Sequence, residues 1–270
     1  MNEITFVIPF RSKTTSNDWD LHSRLLKRTI KSVLRQTSSN FQILVVYSEL
    51  PYDPVSHDKL SYLRLPFDPI DIALIEGHNE LTDRFKFFFM DHGRRIMYGA
   101  HRAIQAGTNY IMSVDADDLI SNKIAEYVRD KDPSEAGWIL KRGFVYIDQA
   151  AWLYKQPNNM NSINGSTHIL NVAVIDIPDF DKRPFLINDY DLFSAHAWLE
   201  ERLRERKGIQ LKELPFYGVL YSRNSGSHSK EFNSKDEYIG QGIKKIIKRI
   251  IRYKPFSQTL INEFGYYKVE

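Results

Sequence analysis

Two features of the sequence predict an α/β fold with a mostly parallel central sheet. Ile4–Pro9, Leu21–Arg35 and Phe41–Tyr47 read as strand, helix and strand over about forty residues, the crossover unit of a parallel sheet. Further on, Tyr110–Val114 reads as a short apolar strand that stops at Asp115, Asp117 and Asp118. Ionised carboxylates are costly to desolvate without partners, so the strand must emerge there. In open α/β sheets that edge binds ligands.

The first strand is apolar and closed by Pro9, and Arg11 to Asp20 form a polar loop after it. Leu25, Leu26, Ile30, Val33 and Leu34 recur at helical spacing in the following helix. Phe41–Tyr47 ends in Ser48 and Glu49. Residues 51–68 are proline-interrupted and irregular, and Ile70–Ile75 is a candidate third strand. Phe85, Phe87, Phe88 and Phe89 suit core or a packed cover. Gly93–Ala106 reads as a helix carrying Arg94, Arg95, His101 and Arg102, cations that could face a phosphate or simply water.

Beyond Asp118 the pattern predicts a helix over 121–129, strands at Gly137–Leu140 and Gly143–Tyr146, and a polar stretch over 155–168 that is either a mobile loop or the lip of a site. A strand over His168–Ile177, a helix from Asp189 through Leu203 and a strand over Leu214–Tyr221 follow. The helix has acids in its first turn and cations in its last, which the helix dipole favours. Gly242–Lys254 places Ile243, Ile246, Ile247, Ile250 and Ile251 on one face among six cations and no acid. Such a helix suits an anionic membrane surface, a packed position on the domain, or a subunit contact in a homo-oligomer.

Composition narrows the classes. A hydrophobic fraction of 42% supports a full core, and the absence of cysteine removes disulfides and thiolate metal sites. The first residues lack a basic segment followed by a long apolar one, so no secretion signal is expected, and no apolar run approaches the roughly 20 residues of a membrane span. A net charge of +3 and the lack of an aromatic stacking surface beside the basic helix argue against nucleic acid as a partner.

Asp115 and Asp117 are separated by one residue, so in an extended segment they point the same way. Paired carboxylates suit Mn²⁺ or Mg²⁺, with a substrate diphosphate completing the shell. Alternatively, Asp118 caps a helix beginning near Leu119.

In this order the chain resembles the family-two glycosyltransferases, inverting nucleotide-sugar enzymes with the GT-A fold. Phe6-Val-Ile-Pro-Phe is similar to their opening strand, Thr29-Ile-Lys-Ser-Val-Leu-Arg-Gln-Thr to their first helix, and Ile111-Met-Ser-Val-Asp-Ala-Asp-Asp to their metal-binding strand. Asn188-Asp-Tyr-Asp-Leu stands where they carry a Glu-Asp pair. The resemblance implies a GT-A domain over 1–229, with a nucleotide and metal half (1–118) and an acceptor half (119–229), followed by a C-terminal extension (230–270). It implies that Pro9, Phe10, Arg11, Glu49, Asp115 and Arg223 contact the nucleotide or diphosphate, together with His101 or Arg102. Asp115, Asp117 and His228 would hold the metal. Asp189 would be the general base, with Asp191 the competing choice. Two departures stand out: Asn188 replaces the usual glutamate, and Gly99-Ala-His-Arg replaces an Ala-Arg-Asn-like segment.

The expected reaction is transfer of a sugar from a nucleotide-diphosphate donor to the hydroxyl of a glycan or lipid-linked acceptor, with inversion, in surface polysaccharide or lipid-linked glycan synthesis. The expected location is cytoplasmic, peripheral at the inner face of the cell membrane. A nucleotidyltransferase is an alternative, but Pro9-Phe-Arg-Ser-Lys lacks the glycines of its usual loop. A catalytically inactive carbohydrate-binding or scaffold relative is another, opposed by the joint presence of Asp115, Asp117 and Asp189.

Overall fold

A computed structural model describes residues 3–67, 81–147, 152–183, 191–193, 195–223 and 253–269. The first strand, β1 (Ile4–Pro9), is buried at every position. Helix α1 (Trp19–Val33) begins at an N-cap, Asp18, whose carboxylate accepts from Leu21 N–H at 2.9 Å. That cap starts the helix two residues before the apolar periodicity does. Its buried face holds Leu25, Leu26, Ile30 and Val33, as the spacing predicts. Strand β2 (Phe41–Tyr47) then pairs parallel to β1, completing the crossover.

The next strand is β3 (Leu60–Arg64), inside the stretch predicted to be irregular. It is an edge strand with one buried residue, so it carries little apolar signal. The strand expected at 70–75 lies outside the described residues. Helix α2 (Leu81–Gln105) runs straight through Gly93, where a helix start was predicted. An interior glycine costs only about 1 kcal/mol, and the buried Ile96, Met97, Ala100 and Ala103 outweigh it. Gly99 has a separate role. A Cβ there would lie 2.4 Å from Val7 Cγ1, so its absence lets α2 lie close against β1. Of the phenylalanine run, Phe89 is 41% exposed rather than core.

Strand β4 (Tyr110–Ser113) leads through the aspartates into a short strand, β5 (Leu119–Ile120), and helix α3 (Ile124–Arg129) starts only afterwards. Asp118 therefore caps no helix. Strands β6 (Gly137–Ile139), β7 (Gly143–Ile147), β8 (Trp152–Gln156) and β9 (His168–Asn171) follow. β9 gives way to a 3-10 turn at Val172–Val174, well before the predicted end at Ile177. In place of one helix from Asp189, the described residues form 3-10 turns at Asp191–Phe193 and His196–Trp198, then helix α4 (Leu199–Lys207). Strands β10 (Lys212–Glu213), β11 (Val219–Arg223) and β12 (Tyr253–Pro255) and helix α5 (Gln258–Phe264) complete the order. Tyr253 and Lys254, predicted to end the basic helix, are thus extended, paired with β8; the rest of that helix lies outside the described residues.

The main sheet has seven strands in the order β10-β6-β9-β4-β1-β2-β3. All of its pairings are parallel except those of β9, which runs antiparallel to both β4 and β6. A five-stranded sheet, β12-β8-β7-β11-β5, stands beside it. The result is the α/β class with a mostly parallel central sheet. Among the described residues no helix is long and apolar enough to cross a membrane.

Candidate active site

The sheet topology gathers the site. Because β1, β2 and β4 are mutually parallel, Arg11, Ser48 and Asp115 leave the sheet at one edge. Because β9 is antiparallel to β4, its starting end meets the finishing end of β4, with Ile169 paired to Met112. The residues before β9, Asn164 to Thr167, are thereby delivered to the aspartates. Helix α2 brings His92 there, and its Nε2–H donates to Asp115 Oδ1 at 2.8 Å.

Asp115 and Asp117 are both half-buried. Burial pulls the Arg11 guanidinium below its ordinary pKa, against the opposing negative charges of Asp117 and Asp91. Behind it, the buried Arg95 donates to both oxygens of Asp91 at 2.9 and 3.2 Å and to Ser48 Oγ at 2.9 Å. Arg95 is thus committed to the protein, and Arg94 stacks over Phe67 at 5.2 Å. The buried Arg28, from α1, donates to the Asp117 carbonyl at 3.4 Å.

Asp118 is fully buried. Its Oδ2 accepts from Asn164 Nδ2 at 2.6 Å and from Ser166 Oγ at 2.5 Å. Burial, then the charges of Asp117 and Asp115, raises its pKa well above the usual carboxylate value. Two histidines flank the same edge. Burial lowers the His196 pKa, with the Asp115 charge opposing and His92 reinforcing. Burial depresses His168 to about 3, so it is neutral.

The predicted site residues divide into three groups. Arg11, Asp115 and Asp117 converge at the edge. Pro9 and Phe10 are buried behind it, with Phe10 packed on Trp19 at a ring separation of 4.8 Å. Glu49 accepts from Lys13 N–H at 3.0 Å and Ser12 Oγ at 3.3 Å, tying the loop after β1 to the end of β2. His101 and Arg102 are not brought to the aspartates, since they lie about 13 Å further along α2 than His92. Arg102 donates instead to Tyr98 Oη, Gln105 Oε1 and Asp181 Oδ2. Asp189 and His228 lie outside the described residues, and Asp191 and Arg223 are described by backbone alone.

The donor chemistry of Asp115 and Asp117 fits a hard divalent cation. They are carboxylates on one edge, and Asp118 Oδ1 beside them is buried without a hydrogen-bond partner. His101, Asp179 and Asp181 also place three ligand atoms within 4.8 Å of one another and could hold an ion. Their carboxylates, however, already accept from Lys182, Arg102 and Gln105.

Sequence reasoning missed Asp91, His92 and His196, and the hydrogen-bonding role of the Asn164–Ser166 segment. The last carried a signal: a polar run that had to go somewhere. It is not a surface loop throughout, since Met160, Asn164, Ser166 and Thr167 are buried.

No protein-family model matches the chain, and no curated protein matches its sequence. Among solved structures it is similar to residues 1–349 of S. aureus TarS in complex with UDP, at 12% identity and TM-score 0.45. That match covers 83% of this chain and 61% of the other. A second S. aureus TarS structure matches at 11% identity and TM-score 0.46, covering 83% and 37%. A Desulfovibrio desulfuricans protein described as a candidate nucleotide-diphospho-sugar transferase matches at 9% and 0.40, covering 82% of each chain. The chain thus spans 37–61% of these TarS chains. At TM-scores of 0.40–0.46 these likenesses carry no functional weight.

Proposed function

We propose that the protein is a metal-dependent glycosyltransferase that moves a sugar from a nucleotide-diphosphate donor to an acceptor hydroxyl with inversion. The observation that carries this reading is the convergence of Asp115, Asp117 and Arg11 at the outgoing edge of a mostly parallel sheet. Asp115 and Asp117 would hold Mn²⁺ or Mg²⁺, which when bound supplies Lewis-acid stabilisation of the diphosphate. Arg11 adds a fixed positive charge for the leaving phosphates in a partly water-excluded setting. Arg28 holds the backbone at Asp117, limiting its movement as the charge develops. Asp189, or Asp191, takes the proton from the acceptor hydroxyl as that oxygen attacks the anomeric carbon. The carbon–oxygen bond to the diphosphate breaks as the new one forms, and one displacement inverts the centre. Arg223 and His228 assist at the diphosphate. The acceptor is a surface glycan or lipid-linked intermediate, reached from a membrane-facing basic segment over 242–252.

The test is calorimetry with UDP, GDP, ADP, CDP and dTDP, with and without Mn²⁺, on the native protein and on Asp117→Ala. Binding of one nucleotide that requires both Mn²⁺ and Asp117 is expected. If the native protein binds none of the five, the assignment is wrong.

A further inference from the structure

The structure assigns a positioning role to Asn164-Gly165-Ser166: the segment sets the place of the Asp115 carboxylate, with Gly165 leaving the space that carboxylate occupies. This inference rests on the reading of Asp115 as a cation ligand.

A Cβ built on Gly165 lies 2.7 Å from Asp115 Oδ2, 3.2 Å from Oδ1 and 3.3 Å from Cγ, and these are its nearest neighbours. The Gly165 backbone is not in the left-handed region, unlike that of Gly107, Gly137, Gly208 and Gly265. Conformation therefore does not demand glycine at 165. Space does, and the group claiming that space is the Asp115 side chain.

The flanking residues fix the distance. Ser166 Oγ accepts from Asp115 N–H at 2.8 Å and donates to Asp118 Oδ2 at 2.5 Å. Asn164 Nδ2 donates to the same Asp118 oxygen, while Asn164 Oδ1 accepts from Ser166 N–H at 3.0 Å. Asp118 N–H in turn donates to the Asp115 carbonyl at 3.0 Å. The segment before β9 and the turn after β4 are thus laced by hydrogen bonds, those of Asn164 and of Ser166 to Asp118 being buried. Asp115 is held at its main chain by Ser166, on one oxygen by His92, and against Gly165 on the other. Asp118 serves this arrangement as the anchor of the lacing, a role separate from any direct contact with the cation.

This geometry makes the test clean. A methyl at 165 meets the end of a side chain, which can swing aside, so Gly165→Ala displaces Asp115 without forcing the backbone apart. Mn²⁺ affinity is measured by water-proton relaxation on the native protein, Gly165→Ala and Ser166→Ala. Ca²⁺ competition is run in parallel, with all measurements made well below each melting temperature. Outer-shell partners typically change metal affinity by about 10- to 100-fold. We expect a loss in that range for Gly165→Ala and about 10-fold for Ser166→Ala. We also expect a reduced Mn²⁺-over-Ca²⁺ preference, since a misplaced carboxylate no longer suits the smaller ion. A merely structural role would lower the melting temperature and leave both quantities unchanged, and that result overturns the inference. Native protein that binds Mn²⁺ but no nucleotide sinks the transferase reading, and the variants still decide the positioning role. Native protein that binds no Mn²⁺ overturns both.

Discussion

Helix α2 carries two histidines that each face aspartates, one at its middle and one near its end, and the two places are built for different purposes. At His92 the partner is Asp115, one of two half-buried carboxylates that share an edge with the Arg11 guanidinium, itself half-buried and lowered in pKa. At His101 the partners are Asp179 and Asp181, more exposed, with Lys182, Arg102 and Gln105 already donating to them. Spacing of ligand atoms alone would favour the second cluster, whose three lie within 4.8 Å of one another. What separates them is the surrounding structure. The first is backed by buried hydrogen bonds and lies where the parallel strands end. The second is a surface latch joining the 178–183 segment to the helix.

The comparison is open to measurement, beginning with the largest effect. Asp117→Asn should weaken Mn²⁺-dependent nucleotide binding by about 100-fold or more, because it removes the negative charge of a proposed ligand rather than of an outer-shell partner; calorimetry reads this directly. Next comes pH. His168 has a folded pKa of about 3 against an ordinary 6.5, so its neutral form is favoured by folding. Its contribution is complete above about pH 6.5 and is lost as pH falls toward 3, at up to about 1.4 kcal/mol per unit. Urea titrations at stepped pH should show this slope, and His168→Gln should flatten it. His92→Ala should cost roughly 10-fold in Mn²⁺ affinity, with partial rescue by His92→Gln, whose amide can still donate to Asp115. Smallest of all, Asp181→Asn should leave nucleotide binding unchanged and the melting temperature within about 2 °C, as exposed ion pairs contribute little. A binding defect in Asp181→Asn would erase the distinction between the two places.

The sequence made much of one place legible and little of the other. The crossover β1-α1-β2 and the aspartates after β4 were readable because apolar periodicity and carboxylate desolvation are local signals. His92 was not, because Gly93 suggested a helix start that packing overrode, leaving His92 on the wrong side of an imagined boundary. His101 or Arg102 was expected at the diphosphate from the family resemblance, which Gly99-Ala-His-Arg only loosely matches. Helical rise carries them along the helix instead, to partners at Asp179 and Asp181 that no local pattern indicates. The polarity of the 155–168 run marked it as a loop or the lip of a site. Its burial could not be read, since polar residues become interior only when distant partners such as Asp118 satisfy them.

The stitching of α5 onto the sheet has a consequence for the order in which the molecule is made. Ser32 Oγ donates to the Phe264 carbonyl at 2.7 Å, Ser121 Oγ donates to Glu263 at 2.7 Å, and Phe264 is fully buried. Tyr266 also lies 5.9 Å from Arg28, the side chain that steadies the Asp117 backbone. A ribosome therefore releases α1, β4 and β5 long before their last partners exist. The nascent chain must keep the back of the aspartate turn uncovered until residues 258–266 emerge. The last contacts behind the aspartate turn therefore form late in biosynthesis, and a chain interrupted between 223 and 258 would have its aspartates but lack the partners of Ser32, Ser121 and Arg28.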